Sequence, residues 1–524
     1  MQQSQKQRDE IHKTIWNIAN KLRGSVTGWD FKQYVLGTLF YRFISEKFKN
    51  YINESYSKND KSFNYANLDD EKIKQMPQNN KIQFIKEIGF FMLPSELFEN
   101  VAKDAYQMKE NLNEKLESIF KNIENSAKGS GSESDLSGLF DDFDINSKKL
   151  GTTVVARNEK LADILSEVAK MDFDFSDNKI DAFGDAYEFL MTMYASNAGK
   201  SGGEFFTPQE VSELLTKIVA NNKEKLKNIY DPACGSGSLL LKAIKVLGKE
   251  NIGNFCGQEI ELTTYNLCRM NMFLHGLEFD KFDIAHGDTL VSPFHSDEKF
   301  QAVVSNPPYS IKWKGDDDPI LINDARFSPA GILAPKSKAD LAFVMHALYH
   351  LASNGTAAIV MFPGTMYRSG AEQKIRKYLV ENDFVDAIIN LPQNLFFGTS
   401  IQTNILVLKK GKTNGSCGNI LFINAENEFE KSTNNNKLTP KNIDKIMQIY
   451  KERKDEQFFS RKVEISQIKE NDFNLSVSSY VAGEDKSEKI DIKELNSQIS
   501  AIVKNQQILR SQIDKIVADL ESAV

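Results

Sequence analysis

At 524 residues the chain is too long for one ordinary hydrophobic core, so two or three domains are expected, a catalytic one with helical accessories. Hydrophobic content of 41% and charged content of 26% are those of a soluble globular protein, and no apolar run reaches the roughly 18–20 residues that span a bilayer. A formal charge of −7 excludes nucleic-acid binding through overall basicity, so phosphate attraction would have to come from a local patch or another chain.

The chain starts with MQQSQKQRDEIHK, polar and without the apolar centre of a secretory signal, which predicts cytoplasmic residence and no membrane attachment. Cys234, Cys256, Cys268 and Cys417 form no CxxC pair, and the six histidines show no ligand-like spacing with them. Neither a disulfide frame nor a metal site is therefore expected. The first 125 residues read as helices. Within WDFKQYVLGTLFYRFISEKF, Leu36, Leu39, Phe40, Phe43, Ile44 and Phe48 recur at steps of three and four. Residues 126–139, SAKGSGSESDLSGL, concentrate Gly and Ser and predict a flexible loop.

We expect an N-terminal helical domain over 1–160, an α/β domain over 161–480 and a helical tail over 481–524. In the middle region the runs KNIYD, NFCGQEI, AVVSN, TAAIVMF, VDAIINL and TNILVLKK alternate with helical stretches, which implies a Rossmann-like, doubly wound and mostly parallel sheet. In the tail, Ile492, Leu495, Ile499, Ile502, Gln506, Leu509, Ile513, Ile516 and Leu520 fall on a heptad seam interrupted once by Gln506. So narrow a seam needs a facing helix, either a partner subunit's or one of the chain's own N-terminal helices.

The run 228–240, NIYDPACGSGSLL, reads as strand, glycine turn and helix start. Gly235 and Gly237 let backbone approach a ligand closely, and the free N–H groups of the helix start favour an anion such as a carboxylate. Leu240 replaces the third glycine of a dinucleotide fingerprint, and no Lys-Ser/Thr follows to make a P-loop. Glu259 ends the next strand, where a carboxylate can accept from both ribose hydroxyls of an adenosyl ligand. Asp288 ends a third such unit and can accept from an adenine amino group.

The run 303–309, VVSNPPY, carries the chemistry. Pro307 and Pro308 fix φ and remove two donors, leaving rigid acceptor carbonyls beside the Asn306 side chain. Two acceptors gripping the hydrogens of an exocyclic amine draw its nitrogen toward tetrahedral geometry and aim the lone pair at a methyl donor. The gain is positioning and electrostatics, and no strong base is needed before attack. Tyr309 offers a face for stacking the target base, which must be flipped out of a duplex to arrive there.

These motifs make the chain similar to the modification subunits (HsdM) of type I restriction–modification enzymes, within the N6-adenine DNA methyltransferases. DPACGSGSLL looks like their cofactor motif, NPPY is like their catalytic signature, and WDFKQYVLGTLFYRFISEKF is like the helical domain of one subgroup. The resemblance covers nearly the whole chain. It implies that Glu204, Phe205, Phe206, Thr207, Pro208, Gln209, Asp231, Gly235, Ser236, Gly237, Ser238, Glu259 and Asp288 line a pocket for S-adenosylmethionine. It also implies that Phe396 or Phe397, in NLFFGTS, packs the second face of a flipped adenine unless that residue belongs to the core.

In that family two modification subunits join one specificity subunit (HsdS) that reads double-stranded DNA, and a restriction subunit (HsdR) adds cleavage. The segment 310–338, with Lys312, Lys314, Arg326, Lys336 and Lys338, either tracks phosphates near the flipped base or is a plain solvated loop. Two rival enzymes use the same pocket, a protein-glutamine and an RNA guanine-N2 methyltransferase. A third alternative is a cofactor-binding scaffold without turnover.

Overall fold

The computed structural model describes residues 28–57, 62–171, 207–315, 318–396, 399–413, 415–432, 435–483 and 492–522, with a few helical positions among 12–18 and 183–190. The chain falls into two units, Met1–Val481 and Ala482–Val524.

The first unit begins with helix α1 (Gly28–Ser57), in which Tyr34, Val35, Leu36, Leu39, Phe40, Tyr41, Ile44, Phe48 and Ile52 are all buried. A helix apolar on so many sides is the centre of its own bundle. Gly37 sits in it because a Cβ there would lie 2.7 Å from the Phe143 ring. Helices α2 (Leu112–Ser126) and α3 (Val154–Ala169) pack with it, and the Arg42 guanidinium donates to the Val168 and Met171 carbonyls at the end of α3. Residue 160 lies inside α3.

Next come α4 (Gln209–Val219), β1 (Leu226–Asp231), α5 (Ser238–Leu247), β2 (Ile252–Glu259), α6 (Leu262–Leu274), β3 (Phe282–His286) and β4 (Phe300–Ser305). They are followed by α7 (Asp340–His350), β5 (Leu351–Met361), α8 (Ala371–Glu381), β6 (Val385–Asn390), β7 (Asn404–Lys409) and β8 (Asn419–Asn424). A two-strand ribbon, β9 (Glu430–Lys431) with β10 (Asn436–Lys437), precedes α9 (Pro440–Glu452) and the edge strand β11 (Ser460–Glu464).

The main sheet runs β11-β8-β6-β7-β5-β4-β1-β2-β3, with β7 and β11 antiparallel to their neighbours and the remaining pairings parallel. Side chains alternate between two cores. Ile229, Ala302, Val304, Ala358 and Val360 face one with α4, α5 and α6, while Tyr230, Val303, Ala357 and Ile359 face the other with α7 and α8. This is the doubly wound architecture expected, with an antiparallel strand added between β5 and β6. The chain order reverses at β1, between β2 and β4, which puts a crevice outside the carboxyl ends of β1 and β4.

Residues 126–139 are not the flexible loop that their Gly and Ser content predicted. Ser132, Leu136 and Leu139 are buried, and the guanidinium of Arg269 on α6 donates to the Ser134 and Ser137 carbonyls at 2.9 and 3.0 Å. Asp142 accepts from Thr263 and Asn266 of the same helix, so the segment is a seam joining the helical region to the sheet. The second unit, taken by itself, is helix α10 (Ile492–Glu521), a run of 30 residues that carries the heptad seam.

Candidate active site

The crevice is built from four strand ends, those of β1, β2, β3 and β4. After β1 the chain turns through Gly235 (φ 53°) and Gly237 (φ 80°) into α5. Gly237 is also forced by packing, since a Cβ there would lie 2.8 Å from the Cys268 sulfur on α6. The Gly235 N–H donates to Glu259 Oε2 at 2.9 Å, and Glu261 N–H donates to Oε1 at 2.9 Å. The glycine turn and the acidic end of β2 are thus in direct contact, with each carboxylate oxygen keeping a lone pair for a further donor. Asp288 follows β3; its Oδ1 accepts from Leu290 N–H, and the neighbouring Thr289 hydroxyl donates to the Pro232 carbonyl of the turn.

Asp231 is fully buried at the end of β1. Its Oδ1 accepts from Ala233 N–H and from the Ser305 hydroxyl on β4, while Oδ2 has no hydrogen-bond partner. Burial, with a smaller contribution from the Glu259 charge, pushes its carboxyl from the ordinary 3.8 to about 7. A carboxyl raised in the folded state contributes stability that is complete below its unfolded pKa and is lost as pH rises through about 7. Asp231→Asn, neutral at every pH, should therefore gain on the parent chain between about pH 4 and 7. Urea midpoints across that range will diverge; parallel curves would show that the carboxyl is not raised.

On β4 the motif 306–309 emerges beside the turn. Asn306 Nδ2 donates to Thr207 Oγ1 at 3.1 Å, and the Tyr309 hydroxyl donates to Asn306 Oδ1 at 2.7 Å. The amide is thereby held between the segment before α4 and the aromatic ring. Tyr309 is kept a neutral phenol, its pKa raised by burial and then by the Asp340 charge. Ser310, at φ 52°, donates its N–H to both oxygens of the buried Asp340 at 3.1 and 3.2 Å, which fixes the backbone leaving the motif. Asp340 was missed in the sequence; an Asp at the start of an apolar helix reads as a routine cap.

Thr207, Pro208 and Gln209 run into the start of α4, Pro208 as its N-cap, whereas Glu204, Phe205, Phe206 and Phe397 lie outside the described residues. Gln209 Nε2 is a buried donor with no hydrogen-bond partner. Ser236 is buried in the turn, its carbonyl accepting from Asn271, and Ser238 opens α5. Phe396 is 1% exposed and packs in the core with Leu391 and Leu395, so this ring of the pair is spent in the core rather than facing a base.

Among its described residues, the segment 310–338 is organised rather than a plain solvated loop. Its own Trp313, Leu321, Phe327 and Leu333 are buried. Arg326, expected as a phosphate contact, turns inward instead. It is 3% exposed and donates to the Thr289 and Leu290 carbonyls and to Asp324, because the loop before β4 offers it unpaired carbonyls. Lys312, Lys314 and Lys336 remain exposed.

The sheet order, the carboxylate-bound glycine turn and the Asn-Pro-Pro-Tyr strand end define a methyltransferase of the amino-methylating class. The N-6 DNA methylase family matches residues 178–489, and the HsdM N-terminal domain matches residues 11–168. The chain is 51% identical to the methylase subunit of the type I restriction enzyme MpnII of Mycoplasma pneumoniae, over 98% of this chain and 97% of that one. It is 34% identical to the MjaVII methylase subunit of Methanocaldococcus jannaschii, over 70% and 64%. Among solved structures, the type I restriction-modification methyltransferase subunit of Streptococcus thermophilus superposes with a TM-score of 0.81 at 35% identity, over 90% of this chain and 99% of that one. The chain belongs to the N-6 DNA methylases, among the methylase subunits of type I restriction enzymes.

Proposed function

We propose that this chain transfers a methyl group from S-adenosylmethionine to the N6 amino group of an adenine flipped out of double-stranded DNA. The observation that carries the reading is Asn306, held at the end of β4 next to the turn that grips Glu259. When bound, the cofactor supplies an electrophilic methyl on a sulfonium. Glu259 takes the ribose hydroxyls, Asp288 takes the adenine amino group, and the turn from Gly235 to Ser238 takes the carboxylate. Gln209, with its unpaired donor, fits an acceptor of the same ligand. Asn306 Oδ1 and the Pro307 carbonyl accept from the target amine, Pro308 keeps the turn rigid, and Tyr309 stacks on the base. Phe397 is the member of its pair left to cover the other face.

The chain works, on this reading, in the cytoplasm beside a specificity subunit that selects the DNA sequence, two copies per complex, with a restriction subunit added for cleavage. No helix among the described residues is long and apolar enough to cross a membrane. The exposed lysines at 312, 314 and 336 contribute phosphate contacts near the base. Labelled methyl transfer, followed by nucleoside analysis, tests the assignment. N6-methyladenine formed with the specificity subunit supports it; label in protein or RNA with DNA untouched would replace it by the rival enzymes.

The seam of α10 is the proposed docking element for that specificity subunit. A narrow apolar stripe over four heptads is stable only against a facing helix. Deleting residues 485–524 should abolish co-purification with the specificity subunit while leaving cofactor binding intact. Complexes of unchanged composition would remove the tail from the interface.

A further inference from the structure

Away from the carboxyl ends of the strands, three polar side chains meet where the loop that follows β3 comes back beside the start of that strand. Asp283 is the second residue of β3, while His295 and Glu298 stand in the loop 287–299. Ligating atoms of the three lie within 4.8 Å of one another.

His295 is the informative member. Its side chain is wholly buried among Tyr230, Phe294 and Phe300, and neither ring nitrogen has a hydrogen-bond partner. An imidazole carries a donor and an acceptor in its neutral form, and a buried polar ring normally finds partners for them. Nε2 lies 3.4 Å from Asp283 Oδ2 without making a hydrogen bond. That separation is the edge of a tetrahedron around an ion bonded at about 2.1 Å, the length of zinc bonds to imidazole and carboxylate.

We propose that Asp283, His295 and Glu298 form a binding site for a divalent transition metal, Zn²⁺ being the ion that fits, with water as the fourth ligand. One imidazole beside two carboxylates suits zinc; calcium and magnesium take oxygen ligands alone. The ion has an open route, because the Asp283 side chain is 46% exposed and Glu298 is exposed. Its structural effect is to staple the loop 287–299 at its base. The other end of that loop carries Asp288 and Thr289, the latter bonded to the glycine turn. The sequence hid the site because it contains no cysteine and its third ligand is brought in by a neighbouring strand.

Full-length chain stripped with a chelator, then titrated with Zn²⁺ alone by calorimetry, tests the site. One ion per chain is expected, with a Tm that rises in Zn²⁺ and stays put in Mg²⁺. Asp283→Asn and Glu298→Gln, both on the exposed rim, should each weaken binding at least as much as the roughly 10- to 100-fold cost of losing an outer-shell partner. His295→Ala should abolish it. The two rim variants are expected to keep the metal-free Tm of the parent, so that weaker binding is not loss of fold. Zinc binding that survives all three substitutions, as it would at the exposed Cys417 thiol, overturns the proposal, and so does a parent chain that takes up no zinc.

Discussion

Asn306→Ala will lower kcat for methyl transfer by about 100- to 1000-fold, the cost of removing one preorganised group that stabilises a transition state. The side chain has two fixed contacts, Thr207 Oγ1 at 3.1 Å and the Tyr309 hydroxyl at 2.7 Å, so its carbonyl is aimed before substrate arrives. An amide oxygen offers two lone pairs; Tyr309 takes one, and the second is left for an amine hydrogen. The contact with the amine matters most as its nitrogen pyramidalises, so the loss should appear in kcat, with cofactor affinity unchanged. Tyr309→Phe separates the hydroxyl from the ring. It should retain most of the activity, whereas Tyr309→Ala also loses base stacking worth about 1–3 kcal/mol, visible as weaker DNA binding. Single-turnover transfer with the specificity subunit present, beside equilibrium cofactor binding, measures both. Full activity in Asn306→Ala would move the chemistry to another group.

What could be read from the sequence was whatever one segment decides alone. The runs at β1, β2, β4, β5, β6 and β7 are apolar because they are buried on both faces of the sheet, and they announce themselves. The motif 306–309 and the glycine turn were legible for the same reason: their backbone demands are local. The edge strand β11, SRKVE, was not, since only two of its five positions are buried and no apolar run forms. Contacts decided by distant chain were hidden as well. Arg326 looked like a free cation until the carbonyls of Thr289 and Leu290 were brought to it, and Phe396 could not be told from Phe397 until the core formed around it. Composition misled most at 126–139, where Gly and Ser signal flexibility but serve as a tightly bonded seam.

That seam sets the largest stability effect expected in the molecule. Arg269 is 1% exposed; its guanidinium donates to the Ser134 and Ser137 carbonyls and to Asn266 Oδ1, and it lies 4.2 Å from the centre of the Tyr265 ring. Burial lowers its pKa from the usual arginine value, but the carbonyls keep the cation in place. Arg269→Ala removes two hydrogen bonds from a charged donor, about 1.5–3 kcal/mol each, together with the ring contact, a total of at least about 3 kcal/mol. The loss falls on one joint, between α6 and the segment 126–139, so local opening should precede global unfolding. Cleavage within 126–139 by a protease follows the population of the open form, and about 3 kcal/mol makes that form about 100-fold more frequent. Nearby Asp135, already pushed by burial to about 7, will be pushed higher once the Arg269 charge is gone. Arg269→Lys keeps the charge without the planar fork that spans two carbonyls, so it should recover only part of the protection. Equal cleavage rates in all three chains would mean that the seam is held by Asp142 and its partners on α6 instead.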